Sequence, residues 1–224
     1  MDKKNLLVSA VVKYLTGVVM VAAMLFVPAG TIRYSNGWLF MALLFVPMFF
    51  LGLILLVKSP QLLEKRLKSK EKRGTQSKVV ALAALAFTAS FLMAGIDYRF
   101  GLTNVSGYVV AVSAVVLLIS YGLYAEVMRE NVYLSRTIEV QQDQKVISTG
   151  LYGVVRHPMY MATILLFMAI PLVLGSWISF AIMLVYPIVI VTRIKDEEIL
   201  LSQELDGYTE YKEKVKYRLI PFVW

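Results

Sequence analysis

The sequence predicts an all-α polytopic membrane protein with about six transmembrane helices, the last two forming a tight helical hairpin, and a polar pocket on the cytosolic side. Three observations predict it. First, 58% of the 224 residues are hydrophobic and the mean hydropathy is +0.68, too apolar for a water-soluble domain of this size. Second, charged residues divide the chain into uncharged stretches at 14–32, 34–57, 79–96, 100–125 and 158–192, and one crossing needs about 20 apolar residues. Third, six crossings put both termini on one side, and Arg33 and Arg99 alone among the 23 lysines and arginines then lie opposite the rest. Because cytoplasmic loops are rich in Lys and Arg, both termini are expected in the cytoplasm and the protein in the plasma (inner) membrane.

Each element follows from local composition. Stretch 14–32 is followed too closely by a second apolar run to read as a cleaved signal peptide, and is expected to be a retained span. The next three stretches each cross once. Between the second and third, Lys65, Arg66, Lys68, Lys70, Lys72 and Arg73 form a basic loop suited to anionic headgroups. No nucleic-acid recognition motif accompanies the +8 net charge, so membrane lipids rather than nucleic acid are the expected partners. Asp97 and Arg99 fall at the outer membrane edge, where water is expected to solvate them. Gly95, Gly107 and Gly122 fit either a dimer interface or close packing within one bundle. Residues 126–131 continue the fourth helix into water, and alternation over 137–148 predicts short extended pieces around a turn near Gln142 and Asp143. The 35-residue stretch 158–192 is too long for one crossing; with Pro171 and Gly175-Ser176 near its middle, it reads as a hairpin of two short helices. Residues 193–205 predict a helix emerging into the cytoplasm and ending by Gly207.

The chemistry is unevenly spread. Residues 1–125 form a four-span N-terminal membrane region with few polar groups, whereas 126–224 hold nearly all the candidate chemistry in a loop, the hairpin and a tail. With no cysteine and a single histidine, disulfide and thiolate chemistry are excluded, and so is a zinc site of the usual kind; no metal is expected. That histidine lies in Gly150-Leu151-Tyr152-Gly153-Val154-Val155-Arg156-His157-Pro158-Met159-Tyr160. Proline favours the first turn of a helix, so the fifth span should begin here, its positive dipole end and Arg156 forming a corner for a carboxylate or phosphate. The plainer alternative is a snorkelling arginine and an interfacial histidine between belt tyrosines. Further on, Arg193 and Glu197 are four apart and share a helix face, with Glu198 beside them; a solvated helix would read the same. A hairpin returns both clusters to one membrane face, which favours a shared pocket for a zwitterionic ligand.

Gly-x-Tyr-x-x-x-Arg-His-Pro-x-Tyr, a hairpin, Arg-x-x-x-Glu-Glu and Tyr-x-x-Tyr, spread over 141–224, together resemble the isoprenylcysteine carboxyl methyltransferases and related phospholipid methyltransferases. Ala162, Leu205 and Lys216 depart from the glycine, glycine and proline common in that family. The resemblance implies S-adenosylmethionine as cofactor, held by Gln144, Lys145, Val146, Ile147, Tyr152, His157, Pro158, Met159, Tyr160 and Glu197. It implies Arg193 on a substrate carboxylate, Arg193 and Glu197 as the catalytic pair, and Arg156 and Glu198 in support. The implied reaction methylates the carboxylate of an isoprenylcysteine-like or other lipidic or prenylated acceptor. The alternatives are phospholipid amine N-methylation, a membrane sterol-type reductase sharing the Arg-His-Pro segment, and a non-catalytic lipid-binding or transport protein.

Overall fold

A computed structural model describes residues 3–58, 60, 63, 64, 67, 74–134 and 140–224. The basic cluster from Lys65 to Arg73 and the start of the 137–148 segment lie outside the described residues. The chain forms α1 (Lys3–Ala29), α2 (Ser35–Lys58), α3 (Gly74–Phe100), α4 (Gly107–Glu130), a 3-10 turn (Gly150–Gly153), α5 (Pro158–Val173), α6 (Trp177–Met183), α7 (Val185–Glu204) and α8 (Tyr208–Lys214). Among the described residues there is no strand.

Among the described residues five helices are long and apolar enough to cross a membrane: Asn5–Ala29, Ser35–Lys58, Val80–Phe100, Gly107–Glu130 and Trp177–Glu204. The sixth apolar helix, Pro158–Val173, is shorter. The outer surface is that of an integral membrane protein: Val19, Val27 and Ile188 are 68%, 74% and 66% exposed, tolerable only where hydrocarbon replaces water.

The hairpin forms, but its legs are unequal. The outgoing leg has 16 residues, about 24 Å at 1.5 Å per residue. The return leg runs 28 residues through α6 and α7, so it is not the second short helix the apolar run predicted. Good helix formers (Lys, Glu, Leu, Gln) continue the helix past the last apolar residue. Its one interruption, at Leu184, lies three residues before Pro187, which has no N–H to offer the Met183 carbonyl. Gly175 makes the turn at φ +81, and a Cβ there would sit 2.5 Å from the Asn36 side-chain nitrogen; only glycine fits. The Ser176 hydroxyl then caps α6 by accepting from Ser179 N–H at 3.0 Å.

Within the bundle α1 lies along α3 and α4 along α5. Leu25, Phe40, Leu117, Val173 and Leu174 form part of one core between them. Gly95 belongs to that packing: its Cβ would fall 2.5 Å from the Leu25 carbonyl oxygen, so it lets α1 and α3 approach closely.

At the end of the bundle remote from His157, Asp97 is not solvated as expected. It is 1% exposed. Oδ1 accepts from Thr103 N–H at 2.7 Å, and Oδ2 accepts from the Thr103 and Ser176 hydroxyls at 2.5 Å each. A buried carboxylate needs such donors, and here they join α3, the loop after it and the hairpin turn. The Tyr34 hydroxyl adds a bond to the Leu174 carbonyl at 2.5 Å. Asp97→Ala strips the Thr103 and Ser176 donors of their acceptor and is expected to lower unfolding free energy by about 2–4 kcal/mol. Asp97→Asn should retain part of it. Thermal unfolding in detergent measures both, and an unchanged midpoint for the alanine variant would make the cluster dispensable.

Candidate functional site

The loop entering α5 is fastened to the tail before any side chain is considered: Arg156 and His157 N–H groups donate to the Tyr217 and Arg218 carbonyls, each at 2.9 Å. Pro158 opens the helix at its first turn, where a missing N–H costs nothing. That leaves Arg156 and His157 facing α7. Arg156 Nε donates to Glu198 Oε1 at 2.7 Å and its Nη1 to the Val215 carbonyl at 2.7 Å. His157 Nε2 lies 3.2 Å from the same Oε1, and Arg218 Nε donates to Oε2 at 2.8 Å. Glu198 is 4% exposed. A carboxylate gripped by two guanidinium groups is an acceptor, so the Nε2 facing it carries a proton. His157 Nδ1 is then an acceptor in the neutral ring and a donor only in the imidazolium.

Successive residues on a helix point about 100° apart, and this separates the two glutamates. Glu198 turns into the protein, while Glu197 faces a cavity of about 310 Å³. There Glu197 accepts from the Tyr160 hydroxyl, which itself accepts from Arg193 Nε at 3.0 Å. Two apolar clusters flank this polar group. On one side Ala83 of α3 packs with Tyr186 and Ile190 of α7. On the other, Leu205, Tyr208 and Tyr211 pack with Val146 and Leu201.

The loop over this second side is built by side chains. Its turn is at Gln142 and Asp143, as the sequence predicts, with Asp143 at φ +57. The described residues around it form no strand; instead Gln141 N–H donates to Gln144 Oε1 at 2.9 Å, and the Gln141 amide donates to the Tyr133 carbonyl at 2.6 Å. Tyr152 accepts from the Asn131 amide at 2.9 Å. Burial, with the Glu197 charge, pushes its phenol up to about 12 against the pull of that hydrogen bond. Burial also raises Tyr208 and Tyr211, with Glu198 and Glu197 adding to Tyr208 and Tyr152 to Tyr211. These phenols stay neutral donors at any working pH.

Of the residues singled out in the sequence, Gln144, Lys145, Val146, Ile147, Tyr152, Arg156, His157, Met159, Tyr160, Arg193 and Glu197 all line this cavity. Pro158 is buried in the first turn and Glu198 lies behind the wall; neither lines it. Sequence reasoning passed over Asn131, Tyr133, Tyr208 and Tyr211, which also line the cavity, and Arg218, which holds Glu198. The Tyr-x-x-Tyr pair was the available signal for Tyr208 and Tyr211. Arg218 had counted only as a charge. Tyr211 donates to the Tyr152 carbonyl at 2.7 Å. The Tyr208 hydroxyl, sealed from water, has no hydrogen-bond partner among the described residues, an omission worth roughly 1–3 kcal/mol.

Residues 102–205 match the phospholipid methyltransferase family; the match takes in α4 and, of the stretch that carries the motif, the loop, the hairpin and both glutamates, and ends before Tyr208 and Tyr211. A stretch of 91 residues is 29% identical to the mouse Delta(14)-sterol reductase TM7SF2, covering 39% of this chain and 22% of the reductase. The chain thus spans about a fifth of that relative's length. The coarse class that the family match supports is a membrane methyltransferase.

Removing a partner from a buried ion pair costs about 3–5 kcal/mol. Glu198→Ala is therefore expected to destabilise the fold by that order, because Arg156 is left buried and uncompensated. Glu197→Ala should change stability by less than about 1 kcal/mol. Unfolding midpoints of the two purified variants compare them, and equal losses would contradict the division of roles.

Proposed function

We propose that the protein is an S-adenosylmethionine-dependent methyltransferase acting on a lipidic acceptor. The observation that carries the reading is the convergence of Tyr152, His157, Tyr160, Arg193 and Glu197, far apart in sequence, on one cavity with polar and apolar walls. The residues suit the cofactor: Glu197 offers a carboxylate to its ammonium, and the 144–147 loop and Tyr152 a cleft for its nucleoside. Its carboxylate would meet His157, which can donate from Nδ1 only as the imidazolium. Bound there, the cofactor supplies a methyl group already activated by its sulfonium.

The chain's own residues then hold, orient and desolvate the acceptor. Arg193 stands beside Tyr160 in the cavity wall and can orient an acceptor carboxylate. A carboxylate is ionised near neutrality and needs no general base, so alignment and exclusion of water would supply the rate. The apolar flank of Val80, Ala83, Val189 and Ile190 suits an acyl or prenyl tail. An isoprenylcysteine-like carboxylate is the preferred acceptor. A phospholipid amine is the rival within the same class, and its need for a deprotonated nitrogen would make the rate fall below the amine pKa. On this reading the cavity opens to the cytoplasm, on the side of the excess lysines and arginines.

The likeness to the mouse sterol reductase favours a second reading, hydride transfer from a nicotinamide cofactor. Titration of the purified protein with S-adenosylmethionine and with NADPH separates the two; saturable binding of NADPH alone would replace the first reading by the second. Arg193→Ala is expected to lose at least 100-fold in methyl transfer while cofactor affinity stays within about threefold. Glu197→Ala should weaken cofactor binding by about tenfold or more. Calorimetry with each variant, and product analysis with a prenylcysteine analogue, a fatty acid and an aminophospholipid, test these assignments. Loss of cofactor binding in Arg193→Ala would move that residue to the cofactor side.

A further inference from the structure

Tyr208 has no assigned role, yet its surroundings are those of a ligand contact. It opens α8 directly after Gly207, whose left-handed backbone (φ +80) turns the chain back from α7 onto the cavity. Only 4% of the residue is exposed, and its ring belongs to the cavity wall. The hydroxyl meets neither water nor a hydrogen-bond partner among the described residues. Its neighbour Tyr211 has the same burial and helix but spends its hydroxyl on the Tyr152 carbonyl. Buried hydroxyls are nearly always paired; Tyr121 shares the lack of a partner but lies outside the cavity, so among the cavity tyrosines the contrast singles out Tyr208.

The apolar group around it indicates which part of a ligand it meets. Tyr208 packs in the cluster of Val140, Val146, Leu201 and Leu205, against the 144–147 loop, whereas the charged pair Arg193 and Glu197 gathers around Tyr160 on α5. A largely apolar wall carrying a phenol that burial and the nearby Glu198 and Glu197 charges keep protonated suits a purine nucleoside, whose ring nitrogens and ribose oxygens are acceptors. An ammonium, which offers only donors, is better met by the Glu197 carboxylate.

We propose that Tyr208 is a specificity-determining residue whose hydroxyl donates a hydrogen bond to the nucleoside of the bound cofactor. This rests on the S-adenosylmethionine reading above. In the free protein the hydroxyl is sealed and has no partner among the described residues, and the incoming nucleoside provides its acceptor after a small rotation of the side chain. Tyr208→Phe removes that one oxygen and keeps the ring. A structural hydroxyl would lose stability on such a change, whereas an unpaired one would not.

The test uses the full chain in detergent and two probes, S-adenosylhomocysteine and 5′-methylthioadenosine, which share the nucleoside but differ in the amino-acid end. Tyr208→Phe is expected to raise the Kd of both by a similar three- to tenfold, the range of one hydrogen bond, with the unfolding midpoint of the free protein unchanged or higher. Glu197→Gln should weaken the first probe only. Unaltered affinities in Tyr208→Phe, a loss restricted to S-adenosylhomocysteine, or a lowered midpoint would each overturn the assignment. If the wild-type protein binds neither probe, the cofactor reading itself fails, and the inference falls with it.

Discussion

Glu198 sits 4% exposed among Arg156, His157 and Arg218, and the geometry of the polar end of the molecule depends on that contact. A carboxylate so far from water persists only if its lone pairs are filled and its charge is matched. The three partners come from the loop entering α5 and from the tail, while Glu198 itself is on α7. One side chain therefore ties three separate parts of the chain, and the two backbone hydrogen bonds from Arg156 and His157 to Tyr217 and Arg218 make the same connection. The orientation of His157 follows from it, with one ring nitrogen committed to Glu198 and the other left for the cavity.

The far end of the hairpin is anchored in a similar way with a different chemistry. There no cation pairs with Asp97 among the described residues; its oxygens take hydrogen bonds from a backbone N–H and two hydroxyls. Buried carboxylates thus clamp the hairpin at its turn and at its open end. Between them α5, with 16 residues, is a short strut lying along α4. Two fixed ends make the spacing between the start of α5 and the end of α7 a property of the whole hairpin, and the cavity lies in that space.

Pairing one glutamate inward and the next toward the cavity separates stability from chemistry on a single turn of helix. Glu198 neutralises buried cations, so Arg156 has little charge to spare for a ligand. Glu197 shares the Tyr160 hydroxyl with Arg193, and these polar groups stand between two apolar clusters. The cavity thus presents charged, polar and apolar walls side by side.

Much of this was legible in the residues themselves. Apolar run lengths and the spacing of charges predict the crossings, because hydrocarbon admits only long uncharged helices. Pro158 marks the start of α5 and Gly175 its turn, because each dictates backbone geometry without help from tertiary contacts. The motif residues of the cavity could be named because they are ionisable or polar beside a membrane span. What only the tertiary structure decided was which polar groups find each other. Asp97 reads as an edge charge until Thr103 and Ser176 are folded against it, and Glu197 and Glu198 are adjacent in the chain yet serve different surroundings. Arg218 is similarly anonymous in sequence. Run length and backbone preference are local properties, whereas hydrogen-bond partnership belongs to groups brought together from distant parts of the chain.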